Sequence, residues 1–197
     1  MIVYCGTSNK GKLREFQLAA PDFELRPVIA PAPEEHGDTF EATAIDKALY
    51  YSRFADGYVF ADDSGLEVDA LGGAPGVLSA RFAGPEATDA QNNALLLEKL
   101  RGVENRSARF VCSIALVRGG ELVRTFRGVV EGRMIDEARG PHGFGYDPLF
   151  FYEPYGCTFG EADDSMKMQV SHRAQALSAL FSFLRENAGS GTSRSSS

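Results

Sequence analysis

Tryptophan is absent from the 197 residues, and cysteine and histidine occur only three times each. Cys5, Cys112 and Cys157 are far apart and form no C-x-x-C pair. This spacing argues against a disulfide framework and a structural zinc site, and it is typical of reduced thiols in the cytoplasm, where we expect the protein to act. The three histidines are too few to support a Ser-His-Asp triad.

Basic residues are outnumbered, with 20 Lys and Arg against 27 Asp and Glu, so the net charge is −7. Polymeric nucleic acid is not an expected partner, because binding it requires a basic surface. An acidic protein can still bind a phosphorylated small molecule if a few lysines and a cation are focused in one cleft. Long apolar runs and an N-terminal charged-then-apolar leader are also missing, so neither membrane insertion nor secretion is expected.

Hydrophobic residues make up 44% of the chain and charged residues 24%, as in an ordinary soluble globular protein. The length suits one α/β domain with a core of its own. We expect this domain to span residues 1–187, followed by a flexible tail rich in glycine and serine at 188–197.

Hydrophobic periodicity divides the domain into strands and helices. In order, these are a strand at 2–5, a helix stopped by Pro21, a strand at 23–28, a helix at about 39–55 capped by Asp38 or Thr39, a strand at 58–61, a helix at 92–100, a β-hairpin of 108–117 and 121–134, and a last helix that buries Ala174, Leu177, Leu180, Phe181 and Leu184. The pattern predicts a mixed α/β fold with a long twisted central sheet flanked by helices.

The segment Thr7-Ser8-Asn9-Lys10-Gly11-Lys12 lies between a predicted strand and a predicted helix. Free backbone N–H groups and the dipole at a helix N-terminus favour phosphate, and hydroxyls and lysines add donors and positive charge. The alternative is that Ser8 or Asn9 merely caps a helix flanked by surface lysines. The spacing is not that of a Walker loop.

Two adjacent carboxylates, Asp62 and Asp63, follow the hydrophobic run at 58–61. We expect the strand to end there and a turn to form at Ser64-Gly65. Acids at the carboxyl end of a strand can bind a divalent cation and orient or deprotonate a water. The alternative is an Asx turn at Asp63-Ser64-Gly65, which explains Asp63 but leaves the charge of Asp62 without a partner if it is buried.

Two later motifs, Gly143-Phe144-Gly145-Tyr146-Asp147-Pro148 and Ser171-His172-Arg173, can form a pocket for a base. The first offers close backbone approach, an aromatic face and a carboxylate acceptor. The alternative for this motif is a structural role, as a glycine-rich turn whose aromatic side chain fills part of the core. The second motif opens the last helix, where Ser171 is a natural cap and the next two residues would otherwise be exposed. Lys167 precedes it in a polar loop.

Five motifs in this order closely resemble the inosine triphosphate pyrophosphatase family: T-x-N-x-G-K, A-D-D-S-G-L, G-G-x-P-G-x-x-S-A-R, G-F-G-Y-D-P and S-H-R. The resemblance runs from Ile2 to about Leu184. Members of this family hydrolyse non-standard purine nucleoside triphosphates, ITP, dITP and XTP, to the monophosphate and pyrophosphate. The resemblance therefore implies this reaction, Mg2+ as cofactor, a homodimer, and two lobes with the active-site cleft between them.

The resemblance also implies roles for individual residues. Asp63 would be the catalytic base and a magnesium ligand with Asp62 beside it, and Glu35, preferred over Glu34, would complete the metal site. The expected substrate-binding residues are Thr7, Ser8, Asn9, Lys10, Gly11, Lys12 and Lys47 for the phosphates, Ser64, and Phe144, Gly145, Tyr146, Asp147, Lys167, His172 and Arg173 for the nucleoside.

One position departs from the family pattern. Where members usually carry E-N-A before the lysine of the second helix, this chain has Ala42-Thr43-Ala44. Glu41 is displaced by one residue, about 100° around a helix, and is not expected to substitute. The metal shell is therefore the least defined part of the predicted site.

Two other functions are compatible with these residues. One is a pyrophosphatase of the related septum-inhibitor-like family, acting on pyrimidine or modified nucleotides. The other is a nucleotide-binding sensor without turnover, which the altered E-N-A position makes conceivable. The G-F-G-Y-D-P and S-H-R motifs favour the purine enzyme.

Overall fold

The computed structural model describes residues 1–188. The predicted tail lies outside the described residues except for Ala188, which is the last residue of the final helix. No helix among the described residues is long and apolar enough to cross a membrane.

Within residues 1–188, seven strands form one mixed sheet in the order β2-β1-β3-β4-β5-β6-β7. The strands are β1 (Ile2–Cys5), β2 (Glu24–Pro27), β3 (Tyr58–Val68), β4 (Ser107–Arg118), β5 (Glu121–Met134), β6 (Phe150–Tyr152) and β7 (Cys157–Thr158). β1 pairs in parallel with β2 and β3, and the remaining pairs are antiparallel. The predicted mixed α/β class and the hairpin of β4 and β5 are confirmed.

The described part of the chain has five α-helices, which are α1 (Lys10–Ala19), α2 (Phe40–Tyr51), α3 (Asp89–Lys99), α4 (Asp164–Lys167) and α5 (His172–Ala188). Side chains cap their first turns as the sequence indicated. Asn9 Oδ1 accepts from the Lys12 N–H of α1, Thr39 accepts from the third residue of α2, and Ser171 accepts from the Ala174 N–H of α5.

The strand that carries the two acids is longer than predicted. β3 continues from Tyr58 through the acids to Val68 and pairs with β4 residue by residue along its whole length. The predicted end of the strand and the turn at Ser64-Gly65 are therefore wrong, and so is the Asx-turn alternative. Pairing with β4 satisfies the backbone of this segment, and this tertiary effect outweighs its turn-like composition.

Three clusters of buried apolar side chains cover the two faces of the sheet. One packs α1 and α5 against β1, β3 and β4 around Phe16, Phe60 and Phe181. A second packs α2 on the opposite face around Val59 and Ala61. The third fills the other end of the long strands, where Leu66 and Leu96 meet the loop residue Tyr146. A cleft opens between these packed regions.

Candidate active site

The carboxylates of Asp62 and Asp63 lie on opposite faces of β3, because successive side chains of a strand alternate. Asp62 faces α1 and α5, where its oxygens contact Lys12 and Arg173. Asp63 faces the side of α2, where Lys47 and Glu35 affect its ionisation. The two acids are both buried, yet they belong to different charge environments.

Asp62 is held in its ionised form by cations. Burial by itself would raise its pKa, but Lys12, Arg173 and Lys47 together hold the pKa well below its usual range. Lys12 Nζ lies 3.1 Å from Oδ1, and Arg173 Nε lies 3.2 Å from Oδ2. A carboxylate paired in this way is a fixed negative charge and a poor proton acceptor.

The pKa of Asp63 is shifted in the opposite direction, upward. Burial raises its pKa to about 6, with Glu35 and Asp62 adding to the rise and Lys12 and Lys47 opposing it. A carboxyl group with this pKa can accept a proton near neutral pH, as a general base must. It lines the cleft directly, whereas Asp62 does not.

Glu35 faces the cleft from the proline-rich loop, and Glu34 does not. Glu35 accepts from Lys47 Nζ and Arg81 Nη1, each at 3.0 Å. These cations hold its pKa low in spite of its partial burial. Glu34 is exposed and contacts His36. The geometry therefore favours Glu35 as the second acid of the site.

Around these acids lies a cleft of about 310 Å³. The predicted site residues that line it are Thr7, Ser8, Asn9, Lys12, Glu35, Asp63, Ser64, Phe144, Gly145, Tyr146, Lys167, His172 and Arg173. Five others, Lys10, Gly11, Lys47, Asp62 and Asp147, stand behind or beside this lining, and Lys10 is exposed. The lining combines polar groups of the first turn of α1 and the segment before it with aromatic and cationic groups.

Gly11 has a packing role that its sequence context did not indicate. A Cβ at this position would lie 2.6 Å from the ring of Phe144. The missing side chain therefore leaves room for the aromatic ring against the first turn of α1. Lys167 Nζ stands 4.8 Å and the Arg173 guanidinium 5.6 Å from the centroid of the same ring.

Lys167 and Arg173 are buried and joined by carboxylates. Lys167 Nζ lies 2.6 Å from Asp147 and 2.7 Å from Glu15, and Arg173 also pairs with Glu15. Arg173 Nη2 donates to Ser64 Oγ at 2.6 Å. The sequence suggested that His172 and Arg173 would be exposed residues of the first turn unless they had a function. Both side chains are instead buried at the start of α5, so they are not ordinary exposed residues.

His172 is a neutral imidazole at the cleft. Burial and the nearby Arg173 and Lys167 cations lower its pKa well below the usual value. Its ring stacks on Phe110 with centroids 4.8 Å apart, and its buried Nδ1 has no hydrogen-bond partner within residues 1–188. A neutral ring can offer a substrate one donor or one acceptor, according to its tautomer.

The altered E-N-A position does not supply a carboxylate to the cleft. Glu41 is exposed and accepts from Thr125 Oγ1 at 3.4 Å, outside the cleft lining. Thr43 is buried, and its hydroxyl donates to the carbonyl of Gly37 at 3.4 Å. This position of Glu41 agrees with the expectation that it does not substitute, which stays a prediction.

Several residues of the site were missed in the sequence, among them Glu15, Arg81, Asp89 and Asn93. Arg81 ends the G-G-x-P-G-x-x-S-A-R motif, so a signal was present. Glu15 lies in an amphipathic helix, where a glutamate is ordinarily a surface residue, and nothing local marks it as buried. Asp89 and Asn93, on α3, hydrogen-bond the backbone of Gly145.

The donor set fits a hard divalent cation. Asp63 and Glu35 line the same cleft, and among residues 1–188 no group of three or more Asp, Glu, His or Cys side chains could hold a metal by itself. Mg2+ is usually bound by one or two carboxylates together with substrate phosphates and water. Two carboxylates next to a phosphate-binding helix end suit that ion.

Comparison with known proteins gives consistent results. The model of the Ham1 family matches residues 3–183. The dITP/XTP pyrophosphatase of Exiguobacterium sp. is 47% identical over 91% of this chain and 95% of its own length, and that of Syntrophobacter fumaroxidans is 48% identical over 91% of this chain and 80% of its own. The solved structure of a HAM1 protein from Coxiella burnetii has 38% identity and a TM-score of 0.86, covering 94% of this chain and 99% of that one. The Staphylococcus aureus Ham1 protein has 36% identity and a TM-score of 0.84, covering 95% and 100%.

Proposed function

The chain belongs to the Ham1 family, and we propose that it is a nucleoside-triphosphate pyrophosphatase acting on non-standard purine nucleotides. The substrates are ITP, dITP and XTP, and the products are the nucleoside monophosphate and pyrophosphate. The observation that carries this proposal is that one cleft is lined both by acids and a lysine, Glu35, Asp63 and Lys12, and by an aromatic ring with buried cations, Phe144, Lys167 and Arg173. We assign the first set to the phosphate end of the substrate and the second to the base end.

The phosphate end is formed by the first turn of α1 and by α2. The N-terminal turn of α1 and its helix dipole favour the triphosphate, and Lys12 and Lys47 neutralise its charge. Lys10 adds positive charge from the exposed side of the same turn. Lys47 keeps its proton, because Asp62, Glu35 and Asp63 raise its pKa against the effect of burial.

Asp63 is the proposed general base for water that attacks the α-phosphorus. Asp63 and Glu35 would hold Mg2+, which when bound supplies charge neutralisation on the triphosphate. Asp63 orients the water and takes its proton. Asp62 remains ionised and keeps Lys12 and Arg173 in place, so the two adjacent acids have separate tasks.

At the base end, discrimination rests on the 6-position of the purine. Inosine and xanthosine present a carbonyl acceptor there, and adenosine presents an amino donor. Donors of the nucleoside pocket, from His172, Lys167, Arg173 or neighbouring backbone, would be left unpaired against adenine, and mismatches of that kind reach about 10⁴-fold in discrimination. Phe144 offers the stacking face.

The test is release of pyrophosphate with Mg2+ from the purine nucleotides ITP, XTP, GTP and ATP and from the pyrimidine nucleotides CTP and UTP. We expect kcat/KM for ITP and XTP to exceed that for ATP by at least a hundredfold, within the range that unpaired polar groups produce. Equal rates for ITP, XTP and ATP would contradict the proposed discrimination at the 6-position. Preferential hydrolysis of pyrimidine triphosphates would favour the septum-inhibitor-like alternative, and binding without pyrophosphate release would favour the sensor.

We also propose a homodimer in which the hairpin of β4 and β5 contributes to the interface. Leu122 and Val123, near the turn of this hairpin, are 45% and 40% exposed. Light scattering should give a dimer mass for the wild type and a monomer mass for L122D/V123D if the proposal is correct. The free thiols support a cytoplasmic location, and the net negative charge speaks against polymeric nucleic acid as a partner.

A further inference from the structure

Helix α3 holds one residue of the base-binding loop by both of its backbone groups. Asp89 Oδ2 accepts from the Gly145 N–H at 2.7 Å, and Asn93 Nδ2 donates to the Gly145 carbonyl at 2.9 Å. Asp89 and Asn93 are four residues apart, so they project from the same face of α3. Helix α3 is itself fixed by a capping box at Thr88 and Gln91 and by the buried Leu96.

Gly145 is the residue on which the shape of this loop depends. Its φ of +60° is in the left-handed region, and its neighbours Phe144 and Tyr146 both line the cleft. The Phe144 N–H is bound by Asp147 at 2.9 Å, and the Tyr146 hydroxyl donates to the Ser79 carbonyl at 2.7 Å. The loop is thus restrained on both sides of Gly145, and α3 restrains the middle.

Asn93 is retained for its donor. Its Oδ1 is buried and has no hydrogen-bond partner among residues 1–188, which is a cost to the folded state. The amide nitrogen, in contrast, makes the bond to Gly145. An apolar side chain would avoid the unsatisfied oxygen, so the polar amide at this position is explained by the loop that it holds.

We propose that Asp89 and Asn93 are positioning residues that set the base-binding loop, and hence purine affinity, from outside the family motifs. This inference rests on the proposed function, because it assigns the loop at Phe144–Tyr146 to the purine. The clamp acts through Gly145 on the stacking position of Phe144. The proposed ligands of the triphosphate lie outside this loop, in the segment 7–9 and on α1, α2 and β3.

The variants that test the clamp are D89A, which removes the acceptor, and N93A, which removes the donor. D89N is the conservative variant, because its amide oxygen can still accept from the Gly145 N–H. E98A, an exposed residue of the same helix, is the matched surface control. Inorganic tripolyphosphate with Mg2+ is the probe for the phosphate end, since it has no base.

D89A and N93A should each raise KM for ITP about fivefold, the effect of losing one ordinary hydrogen bond, with kcat within twofold of wild type. The inhibition constant of tripolyphosphate should stay unchanged, and D89N should recover most of the affinity for ITP. A wild-type KM in both alanine variants would overturn the proposal. So would an equal loss of tripolyphosphate binding, because that indicates general loosening of the cleft.

A second measurement does not depend on turnover. Hydrogen exchange of the peptide containing residues 143–147, in the absence of nucleotide, should be faster in D89A than in wild type, D89N and E98A. Unchanged exchange in D89A would refute the clamp even if the enzyme hydrolyses ITP. Absence of ITP hydrolysis in the wild type, with faster exchange in D89A, would refute the proposed function and leave the clamp on the loop supported.

Discussion

Asp62 and Asp63 are joined by one peptide bond, yet the structure displaces the pKa values of their carboxyl groups in opposite directions. Asp62, between Lys12 and Arg173, has its pKa held well below the usual range. Asp63, buried on the other face of β3, has its pKa raised to about 6. The alternation of a strand is what allows neighbours to differ so much. One acid acts as a fixed counter-ion, and the other is available for proton transfer.

Asp63→Asn should lose at least about 10²-fold in kcat, because general base catalysis typically contributes about 10²–10⁴-fold. The side chain keeps its size, so nucleotide binding should persist. Steady-state pyrophosphate release and calorimetric titration with ITP measure the two quantities. Asp46→Asn, at an exposed position on α2, is the control. Turnover within tenfold of wild type would rule out the role of Asp63 as base.

The same substitution should stabilise the metal-free protein increasingly from about pH 4 upward, with the full effect above about pH 6. A carboxyl whose pKa rises from 3.8 to about 6 on folding is less favourably ionised in the folded state, so its charge destabilises the fold at high pH. The gain in unfolding free energy for Asp63→Asn should approach about 3 kcal/mol at pH 8 and decline to zero below about pH 4. Urea unfolding in EDTA across this range checks it. Equal stabilities at pH 8 would be the contrary result.

Asp62→Asn should destabilise the protein strongly. It leaves Lys12 and the fully buried Arg173 without the carboxylate that both contact. Breaking a buried pair by removing one partner costs about 3 to 5 kcal/mol. Urea unfolding at pH 7.5 measures the loss. The opposite signs expected for Asp62→Asn and Asp63→Asn make each a control for the other, and a similar effect of both would contradict the separate environments.

Glu35→Gln should weaken divalent metal binding by at least about tenfold, since even outer-shell changes at metal sites cost about 10–100-fold. Glu34→Gln is the matched control one residue away, because Glu34 is exposed and contacts His36. Mn2+ binding followed by electron paramagnetic resonance reads metal affinity without turnover. An equal loss in both variants, or none in either, would remove Glu35 from the metal site.

Much of the candidate site was predictable because its functional residues occur in short sequence motifs. The phosphate-binding turn at 7–12, the acids of β3 and the Phe144 loop were all recognised from local residue types, and most of these residues line one cleft. Gly11 was also selected, but as one of the residues expected to bind the phosphates. The structure shows that its missing side chain accommodates Phe144, a residue 133 positions away in the chain that no local pattern could connect to it.

The sequence by itself determined the family, the mixed α/β class, the hairpin and the residue types of the active site, because these depend on local periodicity and on motif order. Only the tertiary structure showed that β3 continues past Asp62 and Asp63 to Val68. Pairing with β4 satisfies the backbone hydrogen-bonding groups of this segment, although its local composition favours a turn. The tertiary structure also decided which charges are paired. Arg173 pairs with Asp62, 111 residues away in the chain, and with Glu15, 158 residues away. Burial removes the water that would solvate these charges separately, so each needs an oppositely charged partner that only the folded chain supplies.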